Sequence, residues 1–176
     1  MRRPVGDVIM GLDLSLTGSA AVVLPGWWSP SEPWSGVVAH RFGEEGKLGG
    51  HERRSAIVTG IWQLAVRTGV KWVFVEEHSF GKGLMKHAFA RAELVGAVKE
   101  SLWHSLRIEP KPVVASGARK LLFGPQQRMA SKEWKRYIGA RFAELGSSLM
   151  SEDERDAMVV ANGGRYALEL PCMSTG

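Results

Sequence analysis

The sequence predicts an α/β fold with a five-stranded mixed sheet, in which three antiparallel strands precede two parallel ones and helices flank the sheet. Two observations support this prediction. The N-terminal part of the chain contains short apolar runs separated by turn residues, a pattern typical of antiparallel strands. The remainder alternates segments of helical periodicity with short apolar runs, a pattern typical of strands that are joined by helices.

Each element has its own signal in the sequence. The first two strands form a hairpin because Thr17 and Gly18 separate two apolar runs, and the proline-rich stretch 25–34 marks the loop before the third strand. Pro110 and Pro112 end the longest helix. The predicted strands are 8–14, 20–24, 36–42, 71–77 and 111–115, and the predicted helices are 51–67, 84–106, 116–124, 131–145 and 153–168.

Composition limits the classes of protein to consider. With 176 residues, 44% of them hydrophobic, the chain is long enough for one domain, 1–176, with its own core. The net charge of +5 favours a polyanionic partner such as nucleic acid. The only cysteine, Cys172, excludes an internal disulfide framework and a multi-cysteine zinc site. No apolar run approaches membrane-spanning length and the N-terminus lacks the features of a signal peptide, so we expect a cytoplasmic protein.

Two acids begin the last predicted helix. Ser151 and Glu154 have the spacing of a capping box, which places Asp153 and Asp156 in the first turns. Residues three apart share a helix face, with Cβ atoms about 5 to 6 Å apart, so both carboxylates can address one metal site. Alternatively, these acids only complement the helix dipole. A stripe of small and apolar residues follows and lets the helix approach a sheet closely: Ala157, Val160, Ala161 and Gly164.

Two further acids lie in predicted strands. Asp13 sits inside an apolar strand rather than after it, where a charge is unfavourable unless it is paired or bound to a metal, although an aspartate before a serine or threonine also forms turns. Strand alternation puts Glu76 and Glu77 on opposite faces, so only one of them can join Asp13. We favour Glu76 and keep Glu77 as the alternative. Carboxylates gathered in this way repel one another unless cations separate them, and divalent ions are the usual solution.

Basic residues form an edge that is suited to a phosphate backbone. Lys132, Lys135 and Arg136 recur at helical spacing, and Arg119 extends the edge. Two more candidates lie in the loop after the fourth strand: Phe80 for stacking on an unpaired base, and Lys82 in a flexible Gly-Lys-Gly segment. The alternatives are a solvated helix face for the lysines and a core position for Phe80.

Several short motifs together resemble the RuvC-like Holliday junction resolvases of the RNase H-like nuclease superfamily. The resemblance runs from Gly11 to about Tyr166 and lies in the order and spacing of the motifs. They are Gly11-Leu12-Asp13 with Thr17-Gly18, Val75-Glu76 with Phe80, the pair Arg119-Lys120, Ala130-Ser131-Lys132, and Asp153 with Asp156-Ala157. The resemblance implies an RNase H-like fold, and a short divergent resolvase would suit a bacterial cell or a phage-infected host.

The resemblance also implies an activity, that of a crossover junction endodeoxyribonuclease. Such an enzyme hydrolyses branched DNA, typically a four-way junction, and leaves 5′-phosphates with the help of two Mg²⁺ or Mn²⁺ ions. By this resemblance Asp13 bridges both ions, Glu76 binds one, and Asp153 and Asp156 bind the other. The resemblance also implies that Lys132, with Lys120 as a second candidate, contacts the phosphate that is cut.

The long helix at 84–106 bears on the oligomeric state. Its apolar residues occupy more than one face, whereas packing on a sheet needs only one stripe. A second apolar face predicts a homodimer through this helix, which suits the twofold symmetry of a four-way junction and is also implied by the resemblance. The alternative is a monomer in which other segments cover that face.

Two other functions compete with the nuclease. Residues 13–17 mimic the phosphate loop of the sugar-kinase and actin-like ATPases, but those proteins need two lobes and this chain has room for one. A catalytically silent module that binds branched DNA would keep the basic edge without the chemistry. ATP binding would favour the first rival, and junction binding without cleavage in any divalent metal would favour the second.

Overall fold

A five-stranded sheet forms the centre of the protein. The computed structural model describes residues 7–26, 37–42, 49–77, 85–124, 131–144 and 151–169, without the side chains of 85–87, 131, 132, 134, 135, 144 and 169. The strands are β1 (Val8–Asp13), β2 (Ser19–Pro25), β3 (Val38–Phe42), β4 (Trp72–Glu76) and β5 (Lys111–Val113). Their spatial order is β3-β2-β1-β4-β5. The β1–β2 and β2–β3 pairs are antiparallel and the β1–β4 and β4–β5 pairs are parallel, which confirms the predicted mixed sheet.

Five helices accompany the sheet in the described part of the chain. They are α1 (Gly50–Thr68), α2 (Met85–Leu106), α3 (Ala115–Phe123), α4 (Ser131–Glu144) and α5 (Glu152–Glu169). Each of the predicted helices is present, with ends within a few residues of those expected. No helix in the described ranges combines the length and the apolar character needed to cross a bilayer.

The alternation of side chains along β1 gives the sheet two buried faces. Met10, Leu12 and Leu14 belong to a core that includes Ile57 and Ile61 of α1 together with buried residues of α2. Ile9 belongs to the opposite core, which is built mainly on α5 and includes parts of α3 and α4. Strand β1 is thus covered on both sides, and its C-terminal end is fixed by packing from both layers.

Gly11 lets helix α5 lie directly against the centre of β1. A Cβ atom on Gly11 would collide with backbone atoms of Ala157 and Ala161, so any side chain there would force the helix away from the sheet. The small residues of the predicted stripe, Ala157, Val160, Ala161 and Gly164, are buried against the sheet. This close contact determines the distance between the acidic start of α5 and the ends of the strands.

Candidate active site

Asp13 and Glu76 end two neighbouring parallel strands. Leu12 is paired with Val75 across β1 and β4, so the residues that follow them, Asp13 and Glu76, lie beside each other. Both side chains belong to the face covered by α5, because they share the alternation of Ile9 and Phe74 in that core. Glu77 has the opposite alternation and is exposed. The fold therefore brings Glu76, rather than Glu77, to Asp13.

The start of α5 supplies the other two acids. The predicted capping box is present: the Ser151 N–H donates to Glu154 Oε2 at 2.7 Å, and the Glu154 N–H donates to Ser151 Oγ at 3.3 Å. This cap fixes the first turn, from which Asp153 and Asp156 project. Asp153 lies over Gly18, where an added Cβ would be 2.6 Å from its Oδ2.

The turn between β1 and β2 is closed by its own serines. Ser19 Oγ donates to the Ser15 carbonyl at 2.7 Å and accepts from the Ser15 N–H at 3.1 Å. The Gly18 N–H donates to Ser15 Oγ at 2.9 Å. These contacts hold Gly18 beneath Asp153. They also engage the Ser15 hydroxyl, which belongs to the segment that mimics an ATPase phosphate loop.

The four acids influence one another electrostatically. Burial raises the pKa of Asp13 to about 7, and the carboxylates of Glu76, Asp156 and, more weakly, Asp153 push it in the same direction. Burial also raises the pKa of Asp156, against the opposing effect of the nearby Arg119 guanidinium, and Glu76 adds to the rise. The site thus gathers carboxylates around the buried Asp13, which is a condition that favours a bound cation.

Three arginines contact the acids. Arg91 Nη2 lies 3.1 Å from Asp13 Oδ1 and 3.5 Å from Glu76 Oε2. Arg119 Nη2 donates to Asp156 Oδ1 at 3.3 Å, and Arg41 Nη2 donates to Asp153 Oδ2 at 3.2 Å. Every one of the four carboxylates therefore contacts a guanidinium.

The chemistry of the donor set fits Mg²⁺ or Mn²⁺, because four carboxylates offer hard oxygen ligands. Their present arrangement is not a preformed cage. Across the described segments, no three His, Cys, Asp or Glu side chains stand close enough together to hold an ion. Each of the four acids instead contacts an arginine.

The predicted DNA contacts are placed unevenly. Lys120 and Arg136 are exposed, as expected for a basic surface, whereas Arg119 lies among the acids. The side chains of Lys132 and Lys135 lie outside the described residues, although both belong to α4. Phe80 and Lys82 also lie outside them.

Sequence reasoning missed two arginines of the site, Arg91 and Arg41. Arg91 had a signal: it precedes the buried Leu94 by three residues and the buried Val98 by seven, so it continues the inward stripe of a helix. A cation in such a position indicates a buried acidic partner. Arg41 had no comparable signal, because it projects from a half-exposed strand at the edge of the sheet.

The fold is that of the RuvC-like resolvases, within the RNase H-like class, as predicted. Thermus thermophilus RuvC in complex with a Holliday junction substrate has a TM-score of 0.67 to this chain at 16% identity, covering 93% of this chain and 96% of that one. A second Thermus thermophilus RuvC structure gives 0.66 at 18%, covering 92% and 96%. The fowlpox virus resolvase in complex with Holliday junction DNA gives 0.51 at 8%, covering 92% and 98%. No family model and no curated protein matches the sequence.

The raised pKa of Asp13 predicts how the stability of the metal-free protein depends on pH. Between pH 3.8 and about 7 the folded chain keeps a proton that the unfolded chain has released, so stability falls as pH rises through this window and levels off above it. We expect melting temperatures in chelator to fall more steeply from pH 5 to pH 8 for the wild type than for Asp13→Asn. Parallel pH profiles for the two proteins would contradict this expectation.

Proposed function

We propose that this protein is a metal-dependent, structure-selective DNA endonuclease that resolves four-way junctions by phosphodiester hydrolysis and leaves 5′-phosphates. The observation that carries the proposal is the convergence of Asp13, Glu76, Asp153 and Asp156 at one end of an RNase H-like sheet, with a pKa of about 7 at Asp13. Thermus RuvC and the fowlpox resolvase, which share the fold, have both been solved with Holliday junction DNA, which supports the choice of substrate.

The roles of the acids follow from their positions. Asp13 is central, because its pKa responds to the other three, so it is the ligand suited to bridge two ions. Glu76 would complete one site, and Asp153 with Asp156 the other. Two Mg²⁺ or Mn²⁺ ions held there would supply an activated water and stabilise the leaving oxygen.

Basic residues around the acids would hold the DNA. Lys132, with Lys120 as a second candidate, would contact the phosphate that is cut. Arg136 and Lys135 would bind the flanking backbone, and the binding would weaken with salt. Arg119 would extend this basic edge, Lys82 would add a positive charge from its loop, and Phe80 would stack on an unpaired base at the branch point. None of these contacts reads base sequence.

Labelled four-way junctions, flaps and linear duplex, offered to the wild type and to Asp13→Asn, test the proposal. Each reaction contains Mg²⁺, Mn²⁺ or chelator. The proposal expects metal-dependent cutting by the wild type, with the junction preferred and 5′-phosphate ends. Junction binding without cutting in any metal would instead identify a silent DNA-binding module. Equal cutting by both proteins would exclude the proposed chemistry.

A dimer through α2 is part of the proposal, because a four-way junction presents two symmetric strands. Phe89 and Trp103 of α2 are 70% and 47% exposed. They lie seven residues on either side of Gly96, where an added Cβ would meet nothing within 4 Å. Residues seven apart share a helix face, so this stripe offers two aromatic anchors and a space between them to a second copy.

Phe89→Glu is expected to convert the dimer to a monomer, since it would bury an unpaired charge at the interface. Light scattering after size-exclusion chromatography measures the mass directly. Val66→Glu is the matched control, because Val66 is also an exposed apolar residue, at 51%, but lies on α1. A wild type that is already monomeric at micromolar concentration would rule out this interface.

A further inference from the structure

A single atom of Arg91 contacts two acids. Its Nη2 lies 3.1 Å from Asp13 and 3.5 Å from Glu76, both of which come from the sheet, whereas the contacts of Arg119 and Arg41 described above are with carboxylates of α5. The Asp13 and Glu76 side chains are only 13% and 20% exposed. Arg91 therefore places a positive charge between the two acids that come from the sheet.

Helix α2 determines this position. Leu94, Val98 and Leu102 are buried in the core beneath the helix, and Arg91 continues the same stripe toward the strand ends. The position of Arg91 on α2 is thus fixed by the packing of the helix and does not depend on the ion pair. The charge would remain near the acids even after its contacts were broken.

The ion pair of Arg91 lacks the geometry of a strong arginine–carboxylate pair. A strong arginine–carboxylate pair uses two parallel N–H donors, whereas here Nη2 alone serves both acids. The Nε–H group of Arg91 is buried and has no hydrogen-bond partner among the described residues. A buried donor without a partner is unfavourable, so this geometry is easily given up for a better one.

We propose that Arg91 is a displaceable counter-ion: it holds Asp13 and Glu76 together in the metal-free protein and gives way when a divalent ion binds. On this proposal, a divalent ion that binds replaces the positive charge of Arg91 beside the two acids. This inference rests on the proposed function, since it needs these acids to be metal ligands. It goes further by assigning to Arg91 a competing role toward the metal.

Two possible roles of Arg91, competing with the metal and positioning the carboxylates for it, predict opposite changes in metal affinity. If Arg91 competes with the metal, removing its charge strengthens metal binding. If Arg91 only positions the carboxylates for the metal, removing it weakens binding. We expect Arg91→Met to bind Mn²⁺ about tenfold more tightly than the wild type, a change typical of coupling between two ligands of one site.

Calorimetric titration of Mn²⁺ into the metal-stripped full chain, without DNA, measures this change directly. Arg54→Met is the matched control, because Arg54 pairs with the exposed Glu93 at 2.8 Å on a neighbouring surface. Its Mn²⁺ affinity should equal that of the wild type. In chelator, Arg91→Met should melt at a lower temperature than the wild type, and saturating Mn²⁺ should raise its melting temperature by more.

Each outcome of the titration either supports or overturns the proposed role of Arg91. Mn²⁺ binding by Arg91→Met that is equal to or weaker than that of the wild type overturns the counter-ion, while cleavage by the wild type would leave the proposed function intact. A wild type that binds no Mn²⁺ also overturns the counter-ion, and the junction-cleavage experiment then decides the proposed function separately. Arg91→Gln keeps a polar side chain, shorter than arginine and without its charge, and should show the same tightening, so it provides the test where the methionine variant does not fold.

Discussion

Asp13→Asn should lower the rate of junction cleavage by on the order of 10³-fold, the size of effect seen when one electrostatic stabiliser of a transition state is removed. Burial, with the other three acids acting in the same direction, raises the pKa of Asp13 to about 7, so Asp13 lies within electrostatic reach of each of them. An amide has the shape of the carboxylate but lacks the charge needed to bridge two cations. The loss should appear in the rate of a single turnover, with little change in the affinity for junction DNA.

The matched control for this variant is Asp7→Asn. Asp7 precedes the other end of β1 and accepts a hydrogen bond of 3.1 Å from the Trp72 indole, a contact that an asparagine oxygen can retain. Its cleavage rate should match that of the wild type. Asp13→Asn should also remain folded, and in chelator at pH 8 it should be the more stable protein because it lacks a buried charge. Comparable cleavage rates for Asp13→Asn and the wild type would remove Asp13 from the mechanism.

Gly11→Ala should destabilise the protein by about 3 kcal/mol or more, at the upper end of the range for overpacking. The added methyl group would meet backbone atoms of Ala157 and Ala161, which cannot rotate away as a side chain could. The whole of α5 would have to move from the sheet. Chemical denaturation, followed by circular dichroism, measures the free energy of unfolding.

Gly117→Ala is the control for that substitution. Gly117 lies within α3, and a Cβ there would meet nothing within 4 Å. Alanine is the better helix former by about 1 kcal/mol, so this variant should equal or exceed the wild type in stability. If Gly11→Ala proved as stable as Gly117→Ala, the close contact between α5 and β1 would not exist in solution.

Much of the fold and of the acid cluster could be predicted because the signals are local. The alternation along β4 separates Glu76 from Glu77 without reference to any other part of the chain. The Ser151 and Glu154 pair places the start of α5 within one residue. Hydrophobic runs of a few residues are sufficient to define strands when turn residues separate them.

The arginine contacts could not be predicted in the same way, because they depend on tertiary geometry. Arg41 reaches Asp153 only because β3 occupies the edge of the sheet beside β2, a neighbour relation that the sequence does not encode locally. Arg119 was expected on a DNA-facing surface, and its pairing with Asp156 follows from the packing of α3 against α5. The roles of Lys132, Lys135, Phe80 and Lys82 stay predictions.

Gly11 and Asp13 stand two residues apart on the same face of β1, and this spacing links folding to chemistry. Gly11 allows α5 to pack directly on β1, and Asp13 lies near the acids at the start of that helix. A change at Gly11 that displaces α5 from the sheet would therefore also move Asp153 and Asp156 away from Asp13.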